Sequence, residues 1–133
     1  MIRWVAAALL ALGLAGPVAA QQEDIRGVID KQLQAFLADD FATAFTFASP
    51  SIKRMFGTAE NFGQMVKQGY PMVWRPADVQ FLGLENRNGT QVQRVLITDG
   101  SGTLYGLDYF MIETEHGWQI NGVQILPAPD IGA

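Results

Sequence analysis

The sequence has no cysteine and a single histidine among its 133 residues. Without cysteine there is no disulfide, no thiol nucleophile, no Cys-ligated metal and no lipid-modified N-terminal cysteine. One histidine removes most zinc sites as well, because these draw on several Cys or His ligands. No metal and no cofactor is expected. Basic clusters are also lacking: Lys and Arg number 9 against 13 Asp and Glu, a net charge of −4. An acidic chain without a basic stripe has no electrostatic footprint for a phosphate backbone, so nucleic acid is not an expected partner. There is no internal repeat, low-complexity segment or linker. Apolar residues make up 49% of the chain, which is a globular composition.

The N-terminus reads as an address. Arg3 supplies a positive charge, Trp4 to Leu14 is an apolar run, and Gly16-Pro17 is expected to break the helix. Val18-Ala19-Ala20 places small residues where a signal peptidase reads, so cleavage is expected before Gln21. Residues 1–20 are therefore a secretory signal and residues 21–133 a single domain exported to the periplasm or the medium. The Gly-Pro break and the absence of flanking basic residues argue against a stable membrane anchor.

The first half of the domain reads as helices. Ile25, Val28/Ile29, Leu33 and Phe36/Leu37 recur at helical spacing over Glu23 to Ala38. Asp39-Asp40 offers an N-cap for a second helix carrying Phe41, Ala44, Phe45 and Ala48, and Ser49-Pro50 stops it. Ile52 to Phe56 is a short turn ending at Gly57. Thr58 opens a third helix burying Phe62, Met65 and Val66. The second half reads as strands. Met72 to Arg75, between Pro71 and Pro76, suits a short extended edge. Val79–Leu84, Gln91–Thr98, Leu104–Glu113 and Trp118–Ile125 follow, separated by Asn88-Gly89, Asp99-Gly100-Ser101-Gly102 and Glu115-His116-Gly117. Asn-Gly tolerates the positive φ of a tight hairpin. Helices first and an antiparallel meander afterwards predict an α+β fold with the helices on one face of the sheet.

Two segments carry a family likeness. One is Ala48-Ser49-Pro50 with Ile52, Phe56-Gly57, Phe62, Met65-Val66 and Gly69-Tyr70-Pro71-Met72-Val73-Trp74-Arg75-Pro76. The other is Gly117-Trp118-Gln119-Ile120 leading into Gly122-Val123. Together they resemble a family of small exported bacterial proteins classed as a domain of unknown function, within the wider nuclear-transport-factor-two-like (SnoaL-like) superfamily. The resemblance implies a cone in which three helices and a bent sheet enclose a pocket. It does not imply a reaction, since that superfamily holds isomerases, dehydratases, cyclases and non-enzymatic binding modules. The isomerase type places a tyrosine in the first helix, and Glu23 to Ala38 has none. The dehydratase type relies on pocket histidines, and His116 is in a turn. No catalytic residue carries over.

The remaining candidates come from the residues themselves. Asp108 lies in the longest strand, on a face shared with Leu104, Phe110 and Ile112. In a pocket its pKa would rise and it could serve as a base or a ligand anchor; otherwise that face is partly open, or Asp108 pairs with Arg94 or Arg75. Trp118 joins the Asp108 face if Gly117 sits in a bulge, the register favoured here, and the Tyr105/Tyr109 face if the turn has two residues. Tyr70, Trp74 and Arg75 form either a ligand end, with Trp74 stacking and Arg75 holding an anion, or an aromatic plug with Arg75 on an acid such as Asp40 or Asp78. Tyr105, Tyr109 and Met111 are pocket walls or an outer apolar face that pairs a homodimer. His116 reads as a solvated turn residue, and Asp99 to Gly102 as a hairpin turn rather than a calcium loop. The preferred function is a non-enzymatic binding or accessory module holding a small apolar ligand or partner segment. The alternatives are interaction through the outer sheet face, and a lyase or isomerase with Asp108 as base.

Overall fold

The computed structural model describes residues 2–127, with side chains from Pro17 onward. Helix α1 runs over Ile2–Leu37. The expected break at Gly16-Pro17 is absent. The Ala- and Leu-rich residues ahead of Pro17 have high helix propensity, so the helix that begins the domain extends back through them. Its buried stripe is Ile25, Ile29, Leu33 and Phe36, each at most 1% exposed. Burying side chains of this size contributes about 1.5–3 kcal/mol each. No helix among the described residues is long and apolar enough to cross a membrane.

Asp39, at φ 55°, turns the chain out of α1. Asp40 then caps α2 (Phe41–Thr46) by accepting from the Thr43 amide. Ser49 caps α3 (Pro50–Phe56) in the same way, accepting from Ile52. Thr58 caps α4 (Ala59–Gly69), accepting from Asn61. Residues Pro71–Trp74 form one further turn, α5, rather than the extended edge expected there. Pro71 at its first position presets the helical φ, and Met72 and Val73 gain burial by coiling inward.

The four strands β1 (Pro76–Arg87), β2 (Thr90–Asp99), β3 (Leu104–Thr114) and β4 (Gly117–Ile125) form an antiparallel meander in the order β1-β2-β3-β4. Asn88 and Gly89, at φ 53° and 92°, make the first hairpin turn and leave Arg87 opposite Thr90. The fold is α+β, with the helices packed on one face of the sheet. That face carries Val95, Ile97, Leu107, Tyr109, Met111 and Ile120, all in one core with the α1 stripe, Phe62 and Val66.

Two expectations about this sheet are corrected. Tyr109 and Met111 are 0% and 3% exposed beneath the helices, so they cannot belong to an outer dimer face; Tyr105, on the same side, packs half-buried against the core. The residues of β3 that face outward are Leu104, Asp108, Phe110 and Ile112. The last hairpin has Thr114 opposite Gly117, a two-residue connection, and Gly117 takes φ 93°. Trp118 therefore lies opposite Glu113 on the Tyr109 side, not the Asp108 side. The extra residue sits further on: Met111 pairs Ile120 but Phe110 pairs Gly122, so Asn121 bulges out of β4.

Candidate functional site

The bulge in β4 lies beside an apolar cavity. Ile120 lies before it and Val123 after it. Both face the helices, and between them Asn121 is the extra residue that rephases the strand. The α2–α3 junction is tied to the same place. The Ser49 amide donates to the Ile120 carbonyl at 2.8 Å, the Ile120 amide to the Phe47 carbonyl at 2.8 Å, and the Ser49 hydroxyl to Asn121 Oδ1 at 2.7 Å. Buried Ser49 is thus both the cap of α3 and the strut that fixes the cavity rim.

The cavity has a volume of about 500 Å3, within the range of small-molecule sites. Its walls are Phe36, Phe56, Phe62, Ile52, Met65 and Val66 from the helices and Tyr109, Ile120 and Val123 from the sheet. Met55, which is 71% exposed, stands at the rim. Phe62 is the hub of the aromatic wall, with the rings of Phe36, Phe45 and Phe56 at 5.9, 5.1 and 5.8 Å from its own. The polar contribution is small and comes from Gln32, Tyr70, Tyr109 and Asn121. Gln32 donates to the Ala44 carbonyl at 3.1 Å. Tyr70 donates its hydroxyl proton to the Val123 carbonyl at 3.0 Å. The Tyr109 hydroxyl is buried and has no hydrogen-bond partner among the described residues. Burial, with Tyr70 adding to it, pushes its pKa far above the ordinary tyrosine value, so it stays a protonated donor.

The residues expected to form a site are distributed over four places. Tyr70 lines the cavity. Trp74 and Arg75 do not. Trp74 Nε1 donates to Asp39 Oδ1 at 2.9 Å, and Arg75 Nη2 grips both Asp39 oxygens at 2.8 and 2.9 Å. Arg75 Nη1 also donates to the Phe36 carbonyl at 2.9 Å, so the cluster closes the C-terminal end of α1. The hydrogen bonds from Trp74 and then Arg75 hold the Asp39 carboxyl below the usual aspartate range. Its partner is Asp39, not Asp40 or Asp78. Trp118 borders a separate, polar depression with Glu23, Asp24, Lys31 and His116.

Asp108 is on the far side of the sheet from the cavity. It is 1% exposed and faces Arg94 across the β2–β3 ladder. Arg94 Nε and Nη2 donate to it at 2.9 and 3.2 Å, and Arg87 Nη2 at 3.0 Å. Burial acts to raise its pKa, but the hydrogen bonds from Arg94 and Arg87 outweigh that and leave it lowered. It is a fixed carboxylate in an ion cluster, and among the described residues no acid lines the cavity. Its role as a base at the pocket is withdrawn for that reason.

Sequence reasoning had Tyr70 at a ligand site but missed Gln32 and Asn121. Gln32 had a signal: it interrupts the apolar stripe at a position three residues from Ile29 and four from Phe36, so it must point inward. Asn121 had none, because its exposure to the cavity depends on a bulge that no residue type marks.

Helices packed on one face of a four-stranded antiparallel meander, over an apolar cavity, make this an α+β domain. The structure is similar to the crystal structure of a candidate NTF2-like transpeptidase from Campylobacter jejuni, with a TM-score of 0.50 and 13% identity over 70% of this chain and 94% of that one. At that identity the likeness is one of fold. The chain belongs to the family described as a domain of unknown function, DUF4864, whose pattern matches residues 18–133. No curated protein matches it.

Proposed function

We propose that this chain is an exported, non-catalytic binding module that holds a small, mostly apolar molecule in the cavity between α1, α3, α4 and the sheet. One observation carries this reading: a cavity of about 500 Å3 whose lining, among the described residues, has no acid and no Lys, Arg or His. General acid–base or nucleophilic chemistry needs a titratable group near neutral pH. The lining offers only two tyrosines, one of them engaged to a backbone carbonyl. The walls are suited to burying apolar surface.

Export fits the same architecture. The core stripe of α1 begins at Ile25 and the cavity lining at Gln32, so cleavage before Gln21 removes neither. It would also place Glu23 and Asp24 in the first turn of the shortened helix, where the helix dipole favours acids.

The test is mass spectrometry of the protein purified from an exporting host, first native and then denatured. The reading expects a mature mass beginning at Gln21 and a stoichiometric small molecule in the native spectrum. An intact, empty protein that takes up no apolar probe would count against it.

A second reading, interaction through the outer sheet face as a homodimer, draws on Leu104 and Ile112. They are 46% and 40% exposed on the strand side away from the helices. The subunit number in the same native spectrum decides it.

A further inference from the structure

The Tyr109 hydroxyl is the one polar group of the cavity wall whose placement packing does not explain. The ring is fully buried and would pack equally well as phenylalanine. The oxygen adds only a desolvated donor, at a cost of about 1–3 kcal/mol when left unpartnered. We propose that the cavity takes a neutral, largely apolar molecule whose single oxygen acceptor (a ketone, ester or amide carbonyl) receives the hydrogen bond of Tyr109. This rests on the pocket reading above and deepens it.

Three observations narrow the ligand class. First, the free donor within the buried wall is singular, since the Asn121 amide is exposed. Tyr70 has committed its proton to Val123, and the Gln32 amide nitrogen is held by the Ala44 carbonyl. Tyr109 alone among these keeps an uncommitted proton, and its environment holds that proton on. Second, no charged side chain among the described residues lines the cavity. A carboxylate or an ammonium group would enter without a counter-charge, and burying an unpaired charge is far more costly than burying a carbonyl that finds a donor. Third, the remaining wall is apolar: aromatic rings, aliphatic side chains and two methionines, Met55 and Met65. Methionine adapts to irregular apolar shapes, so the wall selects for apolar bulk and leaves orientation to the one donor.

The experiment uses three naphthalenes of similar shape: 2-acetylnaphthalene, 2-isopropylnaphthalene and 2-naphthoate. Each is titrated by calorimetry into the protein from the exporting host, its Tyr109→Phe variant and its Met65→Trp variant. The expected order is ketone tightest and naphthoate weakest. The ketone should lead the hydrocarbon by about three- to tenfold, the worth of one net hydrogen bond. Tyr109→Phe should erase that lead while leaving 2-isopropylnaphthalene within about twofold of its wild-type affinity. The infrared carbonyl band of bound 2-acetylnaphthalene should shift to lower frequency in the wild type and return in Tyr109→Phe. Met65→Trp, which fills the cavity, should weaken all three. A ketone lead that survives Tyr109→Phe, or naphthoate as the tightest ligand, overturns this inference and leaves the pocket reading standing. Failure of all three to bind, or binding indifferent to Met65→Trp, overturns the pocket reading and this inference with it.

Discussion

Asp108 and Tyr109 are neighbours in β3 and point to opposite sides of the sheet. Asp108 closes an ion cluster with Arg94 and Arg87 on the outer face, and Tyr109 brings an unpartnered hydroxyl to the cavity on the inner face. The strand's period of two separates a group that is fully paired from one that is not. The first is a structural fixture. The second has a donor to give.

The ion cluster makes stability depend on acid. The Asp108 pKa is lowered in the folded protein, so its stabilisation is complete above the ordinary aspartate value of about 3.9 and is lost as pH falls through the folded value. Asp108→Asn should cost about 2 kcal/mol at pH 7. That is below the range for breaking a fully buried pair, because Arg87 and Arg94 are 35% and 27% exposed and can turn to water. The gap between wild type and variant in urea denaturation should narrow steadily below about pH 4. A gap that stays constant down to pH 2 would show that charge is not what Asp108 contributes.

Tyr109→Phe should behave unlike an ordinary core substitution. Truncating a buried group normally destabilises. Here the atom removed has no partner, so its desolvation cost is lifted and nothing is lost in exchange. The midpoint of denaturation of the empty protein should be unchanged or rise by up to about 1 kcal/mol equivalent. A loss above about 1 kcal/mol would mean that the hydroxyl has a partner in solution, with an ordered water or the Tyr70 oxygen as the candidates.

Ser49→Ala removes two contacts at once: the cap that accepts from the Ile52 amide and the bond to Asn121 across the cavity rim. Loss of a cap alone costs about 0.5–2 kcal/mol. The expected loss is at the upper end of that range, and amide exchange should accelerate selectively at Ile52 and Ile120. Asn121→Ala should leave the α3 cap intact and cost less. Equal losses in the two variants would place the whole effect in the rim bond.

Most of the fold was legible because its signals are local. Asp40 and Thr58 cap helices as their side chains predict, and Asn88-Gly89 turns the first hairpin; Ser49, expected only to stop the second helix, instead caps α3 where a short turn was expected. The inward face of β3 was not legible. Leu104, Phe110 and Ile112 on one side are as apolar as Leu107, Tyr109 and Met111 on the other, so alternation could not choose between them. Only the partner across the ladder, Arg94 opposite Asp108, decides which side is outside, and that is a long-range fact. The same holds for the last hairpin. Gly117 does take the positive φ expected of it, but the extra residue that rephases β4 is Asn121. The candidate site suffered accordingly. Trp74 and Arg75 lock the end of α1, while Gln32 and Asn121 reach the pocket from positions that no motif residue marks.

Gly63 of α4 lies close against Phe41 of α2. A Cβ there would lie 2.8 and 2.9 Å from Cδ1 and Cγ of Phe41. Cγ is the first ring atom, so the ring cannot move aside without changing its rotamer, and it is held between the Phe36 ring at 6.0 Å and the Lys67 ammonium at 5.0 Å. Replacing a helical glycine by alanine favours the helix by about 1 kcal/mol. Overpacking a core costs about 1–3 kcal/mol. The clash should win, giving a net loss of about 1 kcal/mol for Gly63→Ala. In a Phe41→Leu background, where the ring is gone, the same substitution should become neutral or stabilising, a coupling that a double-mutant cycle measures directly. Because α4 also carries Phe62, Met65 and Val66 into the cavity wall, Gly63→Ala should weaken apolar probes together with stability, and Phe41→Leu should restore both. A stabilising Gly63→Ala in the wild-type background would mean that α4 stands off from α2 and that the cavity wall is looser than its packing indicates.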